Sequence, residues 1–238
     1  MDGGVTHVFR VAASDVIIGD MAIGSVANHP IQVHGEKDAD NFLLHNAYVF
    51  DGKEQLLKGS YDKDNSRIFS DNGTVQCSTF VYTKGIGEQR YMGGIDVHHG
   101  KDWLVQYNNF AGIRSPEDKL SEHAVHFWTF SEGTVVRGNT ITNCDRGIGF
   151  GLGAAGHGAG VIEGNFITHD DSRGDVGIGL ENAHDVVVSG NIVEFENDYP
   201  NAIEYRFAGT YDVIISNNTV NRAIVSRNGG QAEVSNNK

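Results

Sequence analysis

The chain has 238 residues, 39% hydrophobic and 21% charged, with glycine at 31 positions and proline at three. Those proportions are ordinary for a soluble globular protein, while glycine well above the usual ~7%, together with abundant Asn and Asp, leans toward an all-β chain. Eighteen basic residues against 31 acidic ones give a net charge of -13, which repels phosphate backbones and excludes nucleic acid as an expected partner; cations could still bridge the chain to an anionic glycan.

The elements repeat from end to end. A small residue, an apolar anchor, a variable residue and a second apolar residue open each unit: VFRV around Phe9, PIQV at Ile31, LLKG at Leu57, GIDV at Ile95, AVHF at Val125, GIGF at Ile148, GIGL at Ile178, AIEY at Ile203 and AIVS at Ile224. From the fourth unit onward a second apolar run closes on Asn, in WLVQYNNF, TVVRGNTI, GVIEGNFI, VVVSGNIV, VIISNNTV and AEVSNN, which aligns Asn108, Asn139, Asn165, Asn191, Asn218 and Asn237. Short alternations bounded by Gly, Asn and Asp, with no sustained helical period, predict strands. Two or three such strands every ~20 to 30 residues predict a parallel β-helix of about nine coils, spanning residues 1–238 as one domain. The repeated Asn is expected at a left-handed turn, its amide bonded to the Asn one coil away at the ~4.8 Å strand spacing. Met21 and Ala47 stand where the first two coils should have Asn, and residues 50–93, containing KGSYDKDNSRIFSDNG, form one irregular coil.

No apolar run approaches the ~20 residues of a membrane span, so membrane insertion is not expected. The opening MDGGVTHVFR lacks the apolar core of a signal peptide, and the chain stops in mid-pattern at QAEVSNNK, as a piece of a longer protein would. Cys77 and Cys144 are read as free, buried thiols.

The strand pattern and the Asn ladder resemble the right-handed parallel β-helix family, the architecture of pectate-lyase-like enzymes and phage tailspikes. The resemblance covers nearly the whole chain and implies a right-handed coil, a polysaccharide partner and an extracellular or periplasmic setting. It does not fix an activity.

Alternation along a strand sends the neighbour of each anchor outward. One column then reads Arg10, Gln32, Lys58, Asp96, His126, Gly149, Gly179, Glu204 and Val225; the next reads Ala12, His34, Ser60, His98, Trp128, Gly151, Glu181, Arg206 and Arg227. The small residues before the anchors, Gly94, Ala124, Gly147, Gly177, Ala202 and Ala223, are expected to face outward as well. Gly147, Gly149, Gly151, Gly177 and Gly179 would form a bare floor for a ligand, with His126 and Trp128 on one side and Glu181, Glu204 and Arg206 on the other. Gly151, Gly153 and Gly156 spell G-x-G-x-x-G, but a strand follows where a dinucleotide loop needs a helix; GAAGHGAG is instead an expected loop exposing His157.

Three readings follow. A lyase acting on an acidic glycan would use His126 or Lys58 as base, Asp96 to orient His126, and Arg206 or a bound cation against the substrate carboxylate. Trp128 would offer a platform, with Arg227 and with Arg146 at a strand entrance holding the substrate. A hydrolase would pair Glu181 with Glu204. The second reading is a glycan-binding, adhesin-like module without turnover, and the third is a structural coil that oligomerises through uncapped ends. Calcium is the one cofactor considered, with Asp170, Asp171 and Asp175 in HDDSRGD as oxygen ligands. EHAVH is not expected to bind zinc, because His123 and His126 should point to opposite faces of a strand.

Overall fold

The structure, a computed structural model, describes residues 4–65 and 68–238. Ser66 and Arg67 of the irregular coil, and the first three residues of the opening segment, lie outside the described residues. Strands stack in parallel into three sheets of nine, nine and eight strands, here A, B and C, visited in that order on each turn. Sheet A comprises Phe9–Val11, Ile31–His34, Leu57–Ser60, Ile95–His98, Val125–Trp128, Ile148–Phe150, Ile178–Glu181, Asn201–Arg206 and Ala223–Arg227. The chain is therefore an all-β parallel solenoid with eight three-strand turns and a ninth that has strands in A and B only. The single helical element among the described residues is the 3-10 turn Gly35–Lys37.

The anchors line the interior, as their alternation requires. Ile31, Leu57, Ile95, Val125, Ile148, Ile178 and Ile203 are fully buried in sheet A, facing Leu44, Val75, Val105, Val136, Ile162, Val188 and Ile215 from sheet B. Sheet C adds a stacked pair, Phe80 on Phe110 at 5.0 Å. Each such side chain contributes about 1.5–3 kcal/mol by leaving water, and like residues stack on like because every coil repeats the same cross-section.

The Asn column is a continuous hydrogen-bonded ladder. Asn108 Nδ2 donates to Asn139 Oδ1, and the same bond recurs from Asn139 to Asn165, Asn191, Asn218 and Asn237 at 2.9–3.0 Å. Each Oδ1 also accepts the backbone N–H of the Asn one coil earlier. The left-handed backbone sits one residue before the ladder Asn, not on it: Tyr107, Gly138, Gly164, Gly190, Asn217 and Asn236 have positive φ. That is why the motif reads Gly-Asn or Asn-Asn everywhere but at Tyr107-Asn108. Met21 and Ala47 do fall at the ladder position, and Ser78 fills the third coil, giving its N–H to Asn108 Oδ1.

Three further expectations change. Gly94, Ala124, Gly147, Gly177 and Ala202 are buried at the corner between sheets C and A, pressed against the next coil: a Cβ on Gly147 would lie 2.1 Å from Gly177 O. His157 is buried in the strand His157–Glu163, stacked on Phe150 at 4.0 Å, with Nε2 2.9 Å from Thr134 Oγ1. Cys77 is exposed at a left-handed corner, whereas Cys144 is buried, which pushes its thiol up to about 12.

Candidate functional site

The outward column of sheet A is in register: Lys58 pairs with Asp96, Asp96 with His126, His126 with Gly149, Gly149 with Gly179 and Gly179 with Glu204. Side chains from the segments that lead into the strands, His123 over Gly149 and Tyr199 on Glu204, pack on this column, so it is outward-facing yet buried. Lys58 Nζ donates to Asp96 Oδ2 and lies 2.7 Å from His98 Nε2, while Trp128 Nε1 donates to Asp96 Oδ1 at 2.8 Å. Burial raises the Asp96 carboxyl, but the charge of Lys58, the His98 hydrogen bond and charge, and His126 outweigh it and hold it well below the usual carboxylate range. His126 is 1% exposed, its ring parallel to Trp128 at 5.7 Å, and its Nε2 lies 3.2 Å from Gly151 O. Trp128 packs edge-on against His98 on its other side.

Higher on the same face the expected Glu181–Arg206 pair forms at 2.7 Å. Arg206 also bonds Glu204, and Glu204 accepts from Arg227 at 3.0 Å, Tyr199 at 2.7 Å and Asn201 at 2.6 Å. Burial raises Glu204, yet the donors Asn201 and Tyr199 and the charge of Arg206 bring it below its ordinary value. Glu181 and Glu204 thus share one arginine, and the second oxygen of Glu181 accepts the Gly153 N–H at 2.7 Å. Arg146 is bonded to Asp175 at 3.1 Å. Both glutamates are occupied as acceptors, and Arg206, Arg227 and Arg146 each have a carboxylate partner.

Gly149 and Gly179 are not an open floor. Residues 112–124 lead from sheet C back to sheet A, and the His123 ring lies over Gly149, where a Cβ would meet its Nε2 at 2.7 Å. Gly151 has φ +79°, and a Cβ there would fall 1.9 Å from Glu181 O. His123 precedes the strand Val125–Trp128, so strand alternation does not govern it, and its ring stands 4.6 Å from that of His126 on the same face. This overturns the expectation that the two point apart. Burial, with the charges of His126, Arg146 and Arg206, holds His123 well below its ordinary value. Asp170 pairs with Arg114 at 3.2 Å and Asp175 with Arg146, so HDDSRGD does not converge on an ion; the one candidate metal cluster among the described residues is Glu122, His123 and His126.

A different surface has the open geometry. At the corner between sheets A and B, a groove of about 520 Å³ has a floor of Gly156, Gly158 and Gly209. Glu132, Gly158 and His184 form an outward column in sheet B, and the missing side chain at Gly158 leaves the gap between its neighbours. Phe130, 62% exposed, stands at one end with His99 at 6.4 Å; at the other end His184 and Tyr211 stack with rings parallel at 5.1 Å. Thr129 and Phe130 are both left-handed, at φ 57° and 64°, which is costly for a branched and a bulky residue. This groove lies outside the columns that the apolar anchors define. Alternation applied to the second strand of each unit would have found Glu132, Gly158 and His184, but Phe130 and Tyr211 lie on corners, where alternation says nothing.

No protein-family profile matches the sequence, and no curated protein does. Among solved structures the chain is similar to PfbA, a surface adhesin of Streptococcus pneumoniae, with 15% identity and a TM-score of 0.61 over 93% of this chain. A tailspike protein of E. coli bacteriophage HK620 in complex with a pentasaccharide aligns at 14% identity and a TM-score of 0.45 over 99% of this chain. The chain spans 61% of the adhesin's length and 56% of the tailspike's. The likeness to the adhesin is one of fold: both are parallel β-solenoids.

Proposed function

We propose that the protein is a carbohydrate-binding β-helix that holds an oligosaccharide in the groove between Phe130 and Tyr211. The observation that carries this reading is the exposed Phe130, kept in a strained backbone beside a glycine floor. Aromatic rings give a sugar's apolar face something to stack on, glycine lets the chain approach the backbone, and Glu132, Asn182 and His184 at the rim supply hydrogen-bond partners. The groove spans from the fifth coil to the eighth, roughly 14 Å at the strand spacing, and is shallow and open, which suits a chain of sugars better than a small metabolite. No lysine or arginine among the described residues lines the groove, Glu132 is already paired with Lys101 at 2.6 Å, and Asp185 lies beside it, which together favour an uncharged glycan over an acidic one.

Elimination on an acidic glycan keeps one supporting observation, the contiguous Lys58, Asp96 and His126. It has less support because His126 is covered and Arg206 is already shared between two carboxylates.

The test is affinity electrophoresis through gels containing a panel of neutral and acidic polysaccharides, with ultraviolet absorbance followed for unsaturated products. Retardation by a neutral glycan, weakened at least about fivefold in Phe130→Ala and in Tyr211→Ala, is the expected result, since a stacking ring is worth about 1 kcal/mol or more. Retardation unchanged in both variants would place the ligand elsewhere. Release of unsaturated product that is abolished in His126→Ala would favour the lyase.

A further inference from the structure

His126 is anchored through one nitrogen and left open at the other. A carbonyl oxygen only accepts, so the contact with Gly151 O puts the proton on Nε2 and, in the neutral ring, leaves a lone pair on Nδ1. That Nδ1 lies 3.7 Å from Asp96 Oδ1 and 4.0 Å from Glu122 Oε2, both beyond the ~3.2 Å limit of a good hydrogen bond. His123 Nδ1 is buried with no partner at all. One ligand atom each from Glu122, His123 and His126 lies within 4.8 Å of the others. Polar atoms too far apart to bond one another, yet converging on one point, call for something between them.

We propose that Glu122, His123 and His126 bind one divalent transition-metal ion of the zinc class. Two imidazole nitrogens and a carboxylate oxygen suit Zn²⁺, whereas Ca²⁺ takes about six to eight oxygen ligands. Ligands of a tetrahedral zinc at ~2.1 Å stand about 3.4 Å apart, so the cluster, spread over 4.8 Å, has to contract by up to about 1.4 Å. The Glu122 side chain, 28% exposed, supplies that movement and the route of entry.

The rest of the frame is already built. The Glu122 N–H is bonded to Met92 O and the Ala124 N–H to Arg146 O, while Asp145 Oδ2 accepts the N–H groups of Ser115 and Ser121 to fix the preceding loop. Gly151 O orients His126 from behind, as outer partners of metal-bound histidines do. Asp96 offsets the Lys58 ammonium, and the nearby Arg146 and Arg206 are offset by Asp175, Glu181 and Glu204, so no unpaired cation among the described residues opposes the ion. The site lies over sheet A, apart from the groove, and does not depend on the glycan reading.

Chelator-stripped protein titrated with Zn²⁺ against a chromogenic competitor, and separately with Co²⁺ followed by visible absorption, tests the proposal. One Zn²⁺ per chain is expected, together with Co²⁺ bands of a tetrahedral site. His123→Ala and the isosteric Glu122→Gln should each weaken Zn²⁺ by at least about 100-fold and erase the bands, more than the ~10–100-fold of an outer-shell change, while His45→Ala leaves both intact. Absence of stoichiometric Zn²⁺ in the unsubstituted protein, or affinity unchanged in Glu122→Gln, would overturn it. Should His123→Ala fail to fold by circular dichroism, Glu122→Gln decides.

Discussion

Buried histidines give this fold a pH dependence whose sign can be worked out. Burial, then the charges of His184 and His126, lower His157 to about 3, and burial leads the causes that lower His29 to about 4. Above the unfolded value of ~6.5 both states are neutral and these residues contribute nothing to the pH dependence. Below it the unfolded chain takes up protons that the folded chain refuses, so stability falls as pH drops, by about 1.4 kcal/mol per histidine between about pH 7.5 and 5.5. Asp96 acts in a lower window: its depressed carboxyl stabilises the fold above the unfolded value of ~3.9, and that contribution is lost as pH falls further. Urea midpoints measured at the two pH values should show the loss. His157→Phe should reduce the pH-dependent part by one proton's worth while costing about 1 kcal/mol at the higher pH, because Thr134 Oγ1 loses its partner. An identical slope in the variant would mean that His157 titrates normally in the fold.

At the scale of the element, the Asn ladder is a buried polar line through an apolar corner, tolerable only because each amide is satisfied from both neighbouring coils. Asn165 Oδ1 receives the N–H and Nδ2 of Asn139, and its own Nδ2 donates to Val136 O and Asn191 Oδ1. Asn165→Ala leaves the Asn139 N–H unpaired in the interior, while Asn139 Nδ2 keeps Val105 O and Arg137 O, and should cost about 1–3 kcal/mol in chemical denaturation. Asn165→Ser should cost about 1 kcal/mol less, since Ser78 already shows in the third coil that a hydroxyl there accepts the N–H of the coil before it, that of Ala47. Equal losses in the two variants would argue that packing, not hydrogen bonding, governs this corner.

The same ladder shows what was legible in the sequence. The columns Lys58, Asp96, His126 and Glu181, Arg206 could be assigned because a strand has a period of two and the anchors fix its phase. The phase is lost wherever the chain leaves a strand. His123 lies two residues before Val125, Gly147 one before Ile148, and Phe130 on a left-handed corner, and all three were misplaced or missed for that reason. His157 was lost differently: its glycine-rich surroundings read as a loop, although Gly158 and Gly160 pair in register with Glu132 and Thr134.

For the whole molecule, a solenoid has no long-range core, because each coil touches only the coils on either side. A central coil is therefore held twice and an end coil once. Burial follows that rule: the ladder residues Asn108 to Asn218 are buried, whereas Ala223–Arg227 and Glu233–Ser235 in the ninth turn, and Ile17 and Met21 in the first, are largely exposed. Amide exchange in this chain should be slowest for the sheet A strands Ile95–His98, Val125–Trp128, Ile148–Phe150 and Ile178–Glu181, and fastest in the first and ninth turns. Because the Glu122, His123, His126 cluster sits on the well-held middle coils and the groove on the fifth to the eighth, each coil held on both sides, ligand binding there should slow local exchange at residues 112–124 or around Phe130 without changing the gradient between middle and ends. Uniform protection along the chain would mean that the coils unfold as one cooperative block, and the additive, neighbour-by-neighbour account of stability would then fail.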